Sequence, residues 1–371
     1  MARHTTKPKP SSGAKELDAL RHNIDALDVQ IVRLINQRAV NAASIGKIKA
    51  KDGLKPYNAS REIQVYRKVV AHNTGPLPDA AFRSIYREIM SATIALERPT
   101  RVAFAPGPAG SFTHLAARNK FGSSVAYLPM RDIRDVFVAV SRGRADYGVV
   151  PIENSTEGGV NQSIDMFAET RLKIISEIYL PIHNHLISRC KLKDIKVVYS
   201  HPQPFAQCRN WLLGHLGNAE RHEVASTAAA VECAAKESRA AAIGGTLAAE
   251  IYDMPIVAEH IEDSSDNTTR FLVIADRIAE RTGKDKTSLL LSVKDTPGAL
   301  LRLLQPFYKH GINLTRIESR PSKRRAWEYN FFVDIEGHLD DPQVVAAVSD
   351  LESQVKHLEA LGSYPAAERK K

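Results

Sequence analysis

The chain has 371 residues, of which 43% are hydrophobic and 25% charged, as is typical of a folded protein with about two or three domains. No apolar run approaches the roughly 18 to 20 residues that a membrane-spanning helix needs, so we expect no membrane association. The net charge of +9 is compatible with nucleic acid or with small anions as ligands. Because aromatic residues make up only 6% and basic residues are spread along the chain, we favour small anions and expect no nucleic-acid partner.

The N-terminus and the cysteines bear on localisation and cofactors. Residues 1–14 are rich in Pro, Ser, Thr and Lys without an apolar segment, so we expect a disordered tail and no secretory signal. Cys190, Cys208 and Cys233 show no CxxC spacing, which favours a reducing cytoplasm over a disulfide framework. Since the sequence contains no HExxH pattern either, we expect no metal and no cofactor.

Residues 15–98 are predicted to form an all-α domain. Apolar residues recur every three or four positions from Leu17 to Ile35, and the first clear stop is Lys51-Asp52-Gly53. A helix of more than about 30 residues is unusual in a monomeric domain and indicates an intertwined partner. Two further helices are predicted at 60–72 and 79–97, separated by a turn that contains Gly and Pro.

Basic side chains are spaced along the first predicted helix. Arg38 and Lys49 lie about 16 Å apart on one face, so their long side chains can converge on one small anion. Arg21 lies roughly 25 Å from Arg38, too far for both to bind one small ligand within a single chain. Either Arg21 enters the site from a second chain, or these residues form only a solvated basic face.

Residues 16–97 resemble the all-helical chorismate mutases, which are built as intertwined dimers. The resemblance rests on the segment 19–38, on ASIGKIKA at 43–50 and on Ser60-Arg61-Glu62. It implies that the cations bind the carboxylates and ether oxygen of chorismate, with Arg21 supplied by the other subunit, and that Glu62 binds a hydroxyl. The chorismate-binding residues that the resemblance implies are Arg21, Arg38, Lys49, Asn58, Glu62, Thr93 and Glu97.

Three of these residues depart from the family's pattern, in which Asp, Ser and Gln are common where Asn58, Thr93 and Glu97 stand. The reaction is a pericyclic rearrangement, so catalysis consists of holding the reactive conformer and stabilising charge on the ether oxygen. Arg38, Lys49 and Glu97 are the catalytic candidates for that task. Because a Glu donates a hydrogen bond only when protonated, we expect mutase activity that is shifted toward acid pH.

Residues 101–276 alternate short β-type runs with helical stretches, which predicts an α/β domain. Four polar stretches follow in order: GPAGSFTHLAAR (107–118), ADYGVVPIENSTEGGV (145–160), HPQPFAQC (201–208) and DSSDNTTRF (263–271). Together they resemble the catalytic domain of the prephenate dehydratases, a bilobal fold of the periplasmic-binding type. The resemblance implies loss of carbon dioxide and water from prephenate to give phenylpyruvate.

Thr269 is the catalytic candidate of this domain, as a positioned hydrogen-bond donor to the departing ring hydroxyl. Its neighbour Thr268 is the alternative, and either threonine could instead cap a helix or a turn. The substrate-binding candidates are Ser111, Asn154, Gln203 and Arg270. Arg270 is included because its guanidinium suits a carboxylate, and His114 and His201 are interpreted as structural histidines.

Residues 277–286 are predicted to form a flexible linker, and residues 287–364 an α+β module of ferredoxin-like β-α-β-β-α order with a last helix at 342–358. The segment 295–321 resembles the ACT domains of prephenate dehydratases. That resemblance implies feedback inhibition by L-phenylalanine, bound between two ACT domains of a dimer. Its implied ligand residues are Gly298, Ala299, Leu300, Glu318, Ser319 and Arg320. The alternative is a turn glycine and a surface glutamate.

The three segments together predict an enzyme that converts chorismate to prephenate and prephenate to phenylpyruvate, as a homodimer or a higher oligomer. The alternative is a protein without catalysis, either a solute-binding bilobal module or an amino-acid sensor with an ACT domain. The basic helical segment at the N-terminus and the Thr268-Thr269-Arg270 cluster favour the enzyme.

Overall fold

The computed structural model describes residues 12–293, 296–321 and 329–367. Three helices form its N-terminal part. α1 (Ser12–Lys51) runs unbroken for 40 residues, and α2 (Ala59–Ala71) and α3 (Asp79–Glu97) follow it. The predicted long helix is therefore present, and it includes residues 12–14 of the predicted tail. The remainder of that tail, residues 1–11, lies outside the described residues.

α1 exposes its apolar stripe in the single chain. Leu20, Ile24 and Leu27 are each more than half exposed, and the exposed apolar side chains continue along the helix to Ile48. A continuous apolar stripe of this length on one helix face is typical of a surface that packs against another protein surface.

The central part of the chain forms two lobes, each built on one β-sheet, as the bilobal prediction requires. Lobe 1 contains β1 (Arg101–Phe104), β2 (Ala126–Pro129), β3 (Tyr147–Asn154), β4 (Gly158–Gly159), β5 (Lys173–Pro181) and β11 (Thr268–Ala275). Their order is β2-β1-β3-β11-β5, with β4 beside β3. Its helices are α4 (Phe112–Phe121), α5 (Ile133–Ser141) and α6 (Asn161–Phe167).

Lobe 2 contains β6 (His185–Ser188), β7 (Val197–Ser200), β8 (Glu220–Glu223), β9 (Ala240–Gly244) and β10 (Ile256–Ala258), in the order β10-β6-β9-β7-β8. Its helices are α7 (Pro202–Gln207), α8 (Arg209–Leu216), α9 (Thr227–Lys236) and α10 (Thr246–Ile251), with a 3-10 turn at Leu192–Asp194. The chain enters this lobe after β5 and returns to lobe 1 at β11. A cleft therefore forms where the two crossovers meet.

The C-terminal module has a four-stranded antiparallel sheet in the order β13-β14-β12-β15. Its elements are β12 (Asp285–Val293), α11 (Ala299–Lys309), β13 (Leu314–Pro321), β14 (Tyr329–Glu336), α12 (Pro342–Glu352) and β15 (His357–Pro365). The predicted helix at 342–358 was wrong at its end, because α12 stops at Glu352 and the chain continues as a strand. That strand pairs with β12, so the order is β-α-β-β-α-β.

One face of this sheet packs on its two helices and the other face packs on lobe 1. Leu290, Phe332 and Tyr364 are buried in one cluster with residues of lobe 1. The backbones approach so closely that a side chain at Gly362 would collide with the backbone of Ile174 on β5.

The segment 277–284, predicted as a flexible linker, packs against the helical domain. The Arg277 guanidinium donates to the carbonyl of Tyr57 and to the hydroxyl of Tyr147. Ser60 Oγ donates to the carbonyl of Glu280, and the Arg67 guanidinium to that of Thr282. These bonds fix the segment between the domains.

No helix of the described ranges is both long and apolar enough to span a membrane.

Candidate active sites

Thr269 stands near the start of β11 and lines a cavity of about 260 Å³ in the cleft between the two lobes. Its hydroxyl oxygen accepts a hydrogen bond from Asn154 Nδ2 at 2.8 Å. The same nitrogen donates to Asn267 Oδ1 at 2.7 Å, which fixes the orientation of the Asn154 amide. Because Asn154 donates to the Thr269 oxygen, the Thr269 hydroxyl hydrogen remains available to a ligand in the cleft.

The neighbours of Thr269 do not line this cavity. Thr268 donates its backbone N–H to Ser155 Oγ at 2.9 Å, and its side chain lies outside the lining. Successive side chains of a strand point to opposite faces, so Thr268 and Arg270 share the face turned away from the cleft. The geometry therefore favours Thr269 over Thr268.

Arg270 is a correction to the predicted substrate-binding set. Its guanidinium is only 3% exposed and donates to Glu177 on β5 at 2.8 Å and to Asp334 on β14 at 2.5 Å. Lys286 on β12 donates to the same Glu177 at 2.9 Å, and Tyr364 accepts from Arg270 at 3.1 Å. Arg270 thus joins lobe 1 to the C-terminal module, and its charge is already used by two carboxylates.

Two of the helices that begin at the cleft, α4 and α9, have a serine cap. Ser111 Oγ accepts from the His114 N–H at the start of α4, and Ser226 Oγ accepts from the Ala229 N–H at the start of α9. Gly107, in the left-handed region at φ +97°, lies between the two serines, where an added Cβ would approach both side chains. Within the described residues the lining contains no lysine or arginine. The positive ends of α4 and α9 are therefore the groups suited to an anion here.

Two further polar residues of the cleft lie at the start of α7. Gln203 lines it at the start of α7, and His201 beside it accepts from the Gln203 N–H through Nδ1 at 3.3 Å. His114, a residue of α4, is buried, and its ring stacks on Phe104 with 4.6 Å between the ring centroids. Burial, and secondarily Arg118, lowers the pKa of His114 and so favours the neutral ring. His114 is structural, whereas His201 belongs to the lining.

A second cavity of about 300 Å³ lies among the three N-terminal helices. Six of the seven predicted chorismate-binding residues line it: Arg38, Lys49, Asn58, Glu62, Thr93 and Glu97. Arg38 Nη1 lies 3.4 Å from Thr93 Oγ1, and Lys49 Nζ lies 3.6 Å from Glu97 Oε2. The cavity therefore presents two cations beside a carboxyl group.

Glu97 is buried at the end of α3, with 8% of its side chain exposed. Burial raises the pKa of this carboxyl, and the charge of Lys49 only partly offsets that effect. Glu97 Oε2 is buried without a hydrogen-bond partner in the described ranges. A protonated Glu97 is thus favoured more than an ordinary surface Glu.

Glu62 is held by donors from two domains. Tyr57 and Tyr66 donate to its two oxygens at 2.8 and 3.1 Å, and Lys120 Nζ of α4 lies 2.7 Å from Oε2. Burial, then Glu62 itself, raises the pKa of both tyrosines, so both hydroxyls stay protonated and donate. Lys120 belongs to lobe 1, so the dehydratase-like domain forms part of the wall of this cavity.

Three cationic residues of this cavity were not among the predicted ligands: Arg61, Arg87 and Lys120. Arg61 could have been predicted, because it lies inside the Ser60-Arg61-Glu62 match. Arg87 and Lys120 could not be predicted from the sequence, because their positions at the cavity depend on how α3 and α4 pack.

Arg21 is the one predicted ligand that lies elsewhere. It is on the exposed part of α1, 66% exposed, and pairs with Asp18 at 3.5 Å. It lies seventeen residue steps from Arg38, roughly 25 Å along the helix. Within one chain Arg21 does not reach this cavity.

The predicted L-phenylalanine residues lie on two separate elements of the C-terminal module. Gly298, in the left-handed region at φ +76°, precedes α11, whose first residues are Ala299 and Leu300. Ser319 is exposed on β13, an edge strand of the sheet.

Glu318 and Arg320 of the same strand also lie against other groups. The Glu318 carboxylate lies 3.5 Å from Arg316, and a Cβ added at Gly159 of lobe 1 would lie 2.9 Å from it; Arg320 pairs with Asp165 of lobe 1 at 3.3 Å. Alternate side chains of β13 face lobe 1, so these two residues fix the module to that lobe.

Three family models match the chain in order: chorismate mutase type II over residues 20–98, prephenate dehydratase over 102–279 and the ACT domain over 287–353. The chain is 49% identical to a bifunctional chorismate mutase/prephenate dehydratase of Aquifex aeolicus, over 95% of this chain and 99% of that protein. It is 43% identical to the protein of the same description from Pseudomonas aeruginosa, over 95% and 98%. The crystal structure of a prephenate dehydratase from Arthrobacter aurescens in complex with L-Phe matches with a TM-score of 0.66 and 36% identity, over 72% of this chain and 90% of that chain. The chain therefore belongs to the family of bifunctional chorismate mutase/prephenate dehydratases that carry a C-terminal ACT domain.

Proposed function

We propose that the helical cavity and the interlobe cleft catalyse successive reactions of L-phenylalanine biosynthesis. Chorismate is rearranged to prephenate, and prephenate loses carbon dioxide and water to give phenylpyruvate. The observation that carries the second reaction is the Thr269 hydroxyl, which lines the cleft and accepts a hydrogen bond from Asn154, so that its own hydrogen is left to donate.

In the mutase cavity the cations hold the substrate dianion in its reactive conformer. Arg38 and Lys49, fixed on one rigid helix, bind carboxylate and ether oxygens, and Glu62 accepts from the substrate hydroxyl. Glu97 in its protonated form donates to the ether oxygen, where negative charge develops as the carbon–oxygen bond breaks. Asn58 and Thr93 complete the lining as neutral groups.

This cavity takes Arg21 from a second copy of the chain. The exposed apolar stripe of α1 supports a dimer in which two long helices pack together, and symmetry then supplies one Arg21 to each cavity. Arg21 also lies too far along α1 to approach the cavity of its own chain, which supports the same conclusion.

In the dehydratase cleft the ring carboxylate leaves as carbon dioxide, and its bonding electrons pass through the ring to expel the hydroxyl group. Thr269 donates its hydrogen to that departing oxygen, so the leaving group is water and not hydroxide, and a proton from solvent restores the Thr269 hydroxyl in the same turnover. Until then the Asn154 amide stabilises the charge left on the Thr269 oxygen. Ser111 and the α4 N-terminus bind a substrate carboxylate, and Gln203 provides a neutral hydrogen bond.

The ACT domain makes the dehydratase responsive to L-phenylalanine. We place the ligand near Gly298, Ala299, Leu300 and Ser319, between the ACT domains of two chains, because these residues lie on the start of α11 and on an edge strand. The contacts of Glu318 and Arg320 with lobe 1, and of Arg270 with Asp334 of the ACT domain, supply a route from that site to the cleft. The three cysteines are unpaired, which supports a reducing compartment such as the cytoplasm.

The deciding experiment supplies chorismate to the purified full-length chain and follows prephenate and phenylpyruvate, with and without L-phenylalanine. Both products should form, and L-phenylalanine should weaken dehydratase turnover by about 5- to 150-fold, the usual range of allosteric coupling. Binding of prephenate or L-phenylalanine without turnover would instead identify a solute-binding or sensor protein.

A further inference from the structure

The two crossovers between the lobes meet beside the dehydratase cleft. Residues 182–184 lead from β5 to β6, and residues 259–267 lead from β10 back to β11. The Ile182 N–H donates to the Asn267 carbonyl at 2.8 Å, and the Ile261 N–H donates to the Asn184 carbonyl at 2.9 Å. Ile182, Asn184 and Asn267 also line the cleft. A ligand that binds both crossovers would therefore act on the hinge of this domain.

Three metal-ligating side chains converge where the crossovers touch. His183 Nδ1 lies 2.9 Å from Glu262 Oε1 and 3.1 Å from His260 Nδ1. His260 Nδ1 lies 3.5 Å from the same Glu262 oxygen. The two histidines are 77 positions apart in sequence, which is why no local motif predicted a site.

Hydrogen bonds alone do not satisfy these three contacts. His183 Nδ1 can carry one hydrogen, which can align with only one of its two neighbours. The other neighbour, either the carboxylate or the second imidazole, then has no well-aligned hydrogen bond to His183. A cation placed among the three atoms would instead accept a lone pair from each. Imidazole nitrogen together with carboxylate oxygen is a donor set for zinc and neighbouring transition metals.

The separations agree with one bound ion. For a tetrahedral site with metal–ligand bonds of about 2.0 to 2.1 Å, neighbouring ligand atoms lie about 3.3 Å apart. The three observed separations, from 2.9 to 3.5 Å, lie on both sides of that value. Three protein ligands would leave the fourth position to water.

The surroundings orient the ligands and leave the site accessible. Glu262 is 4% exposed, and its second oxygen accepts from the Asn184 N–H at 2.9 Å, as outer-shell bonds to ligating carboxylates do. His260 is 55% exposed and His183 38%, so an ion can enter from solvent. His260 also adopts φ +51°, a left-handed conformation that is uncommon outside glycine, and this turn directs its ring at His183.

We propose that His183, His260 and Glu262 bind one divalent transition-metal ion of the Zn²⁺ class, which joins the two crossovers of the dehydratase domain. The ion is structural: it ties the hinge strands together next to the cleft and takes no part in the mutase cavity. The proposal is independent of the catalytic roles given above.

The test uses the full-length chain, stripped of metal and titrated with Zn²⁺ by calorimetry. Wild type should bind one ion per chain, and His183→Ala and His260→Asn should each weaken that binding by at least about tenfold. Asn is used at 260 because it tolerates the left-handed backbone while removing the imidazole. Amide hydrogen exchange at 182–185 and 259–263 should slow on addition of Zn²⁺ in wild type and not in either variant.

The matched control is His222→Ala. His222 is exposed and pairs with Glu220 at 2.8 Å on β8, away from the crossovers, so its removal should leave Zn²⁺ binding unchanged. The proposal is overturned if wild type binds no Zn²⁺, or if His183→Ala and His260→Asn bind it as tightly as wild type. It is equally overturned if His222→Ala loses as much affinity as they do.

Discussion

The mutase cavity and the dehydratase cleft bind related small dianions with opposite sets of groups. The mutase cavity is lined by cations, among them Arg38, Lys49, Arg61, Arg87 and Lys120. The dehydratase cleft, over the described residues, has no lysine or arginine in its lining, which combines Ser, Thr, Asn and Gln side chains with His201, the carboxylate of Glu157 and the N-termini of α4 and α9. In the single chain Arg21 does not line the first cavity, whereas Asn154, Gln203 and Thr269 all line the cleft.

The difference follows from the two reactions. A pericyclic rearrangement needs no proton transfer, so fixed positive charge near the developing ether charge accelerates it. A dehydration with loss of carbon dioxide must expel a carboxylate as a neutral molecule and deliver a hydrogen to the leaving hydroxyl. Strong cations on that carboxylate would hinder its departure, and the partial charges of helix ends bind it less firmly. Four experiments can test this difference between the mutase cavity and the dehydratase cleft.

Thr269→Val should have the largest effect. The substitution keeps the shape of the side chain and removes the only hydroxyl that Asn154 orients, so dehydratase turnover should fall by about 10²- to 10⁴-fold. Mutase activity should be unchanged, since Thr269 lies in a different domain. Separate assays with chorismate and with prephenate measure the two rates.

Thr268→Val is the matched control for this substitution. Its side chain lies outside the cleft lining, so dehydratase turnover should stay near that of wild type. If Thr268→Val and not Thr269→Val abolished turnover, the assigned donor would be off by one residue and the available hydroxyl of Thr269 would have no catalytic role.

Asp334→Asn should destabilise the joint between lobe 1 and the ACT domain. Arg270 is the cation nearest Thr269 in sequence, yet it is buried against Glu177 and Asp334 and is unavailable to substrate. Removal of one carboxylate leaves buried positive charge uncompensated, which typically costs about 3 to 5 kcal/mol. Urea denaturation of the full chain, followed by dehydratase activity, should show a lower midpoint.

The control for that prediction is Asp350→Asn. Asp350 also has two partners, Lys309 and His310, but it lies at the surface of the ACT domain, so its loss should change the midpoint little. Equal midpoints for the two variants would show that the Arg270 network does not stabilise the joint.

Mixed dimers should test whether the mutase cavity is completed by a second chain. Arg21→Ala and Arg38→Ala should each lack mutase activity alone. When the two are unfolded together and refolded, half of the dimers are mixed and each has one intact cavity, so about a quarter of wild-type activity should return. Dehydratase activity serves as the internal standard for refolding, and failure of mutase activity to return would place Arg21 outside the cavity.

The sequence predicted the three-domain fold and most of the predicted residues that the structure brings together in the two cavities, because their signals are local. The 40-residue α1 follows from apolar periodicity, and Thr269 follows from a motif next to a buried strand. Predictions failed where tertiary packing decides. Arg270 was taken as a ligand group because its chemistry suits a charged ligand, but alternation along β11 turns it toward the ACT domain. The last predicted helix was continued to residue 358, into the start of β15, because only the pairing of that strand with β12 distinguishes it.

Glu97→Gln should have the smallest effect, a change in the shape of the pH profile of the mutase. Because burial raises the pKa of Glu97, the protonated donor form persists to higher pH than for an ordinary Glu, yet it is lost as pH rises through that pKa. Wild-type kcat/KM for chorismate should therefore rise as pH falls.

Gln donates at every pH, so this limb of the profile should flatten in the variant while other ionisations remain. Glu88→Gln, a half-buried carboxylate on the same helix outside the cavity lining, should keep the wild-type slope. If Glu97→Gln also kept that slope, the acid limb would arise from another group, and the fixed cations alone would stabilise the ether oxygen. That result would increase the difference from the dehydratase cleft, where the hydrogen that Thr269 donates to the leaving oxygen cannot be replaced by a fixed positive charge.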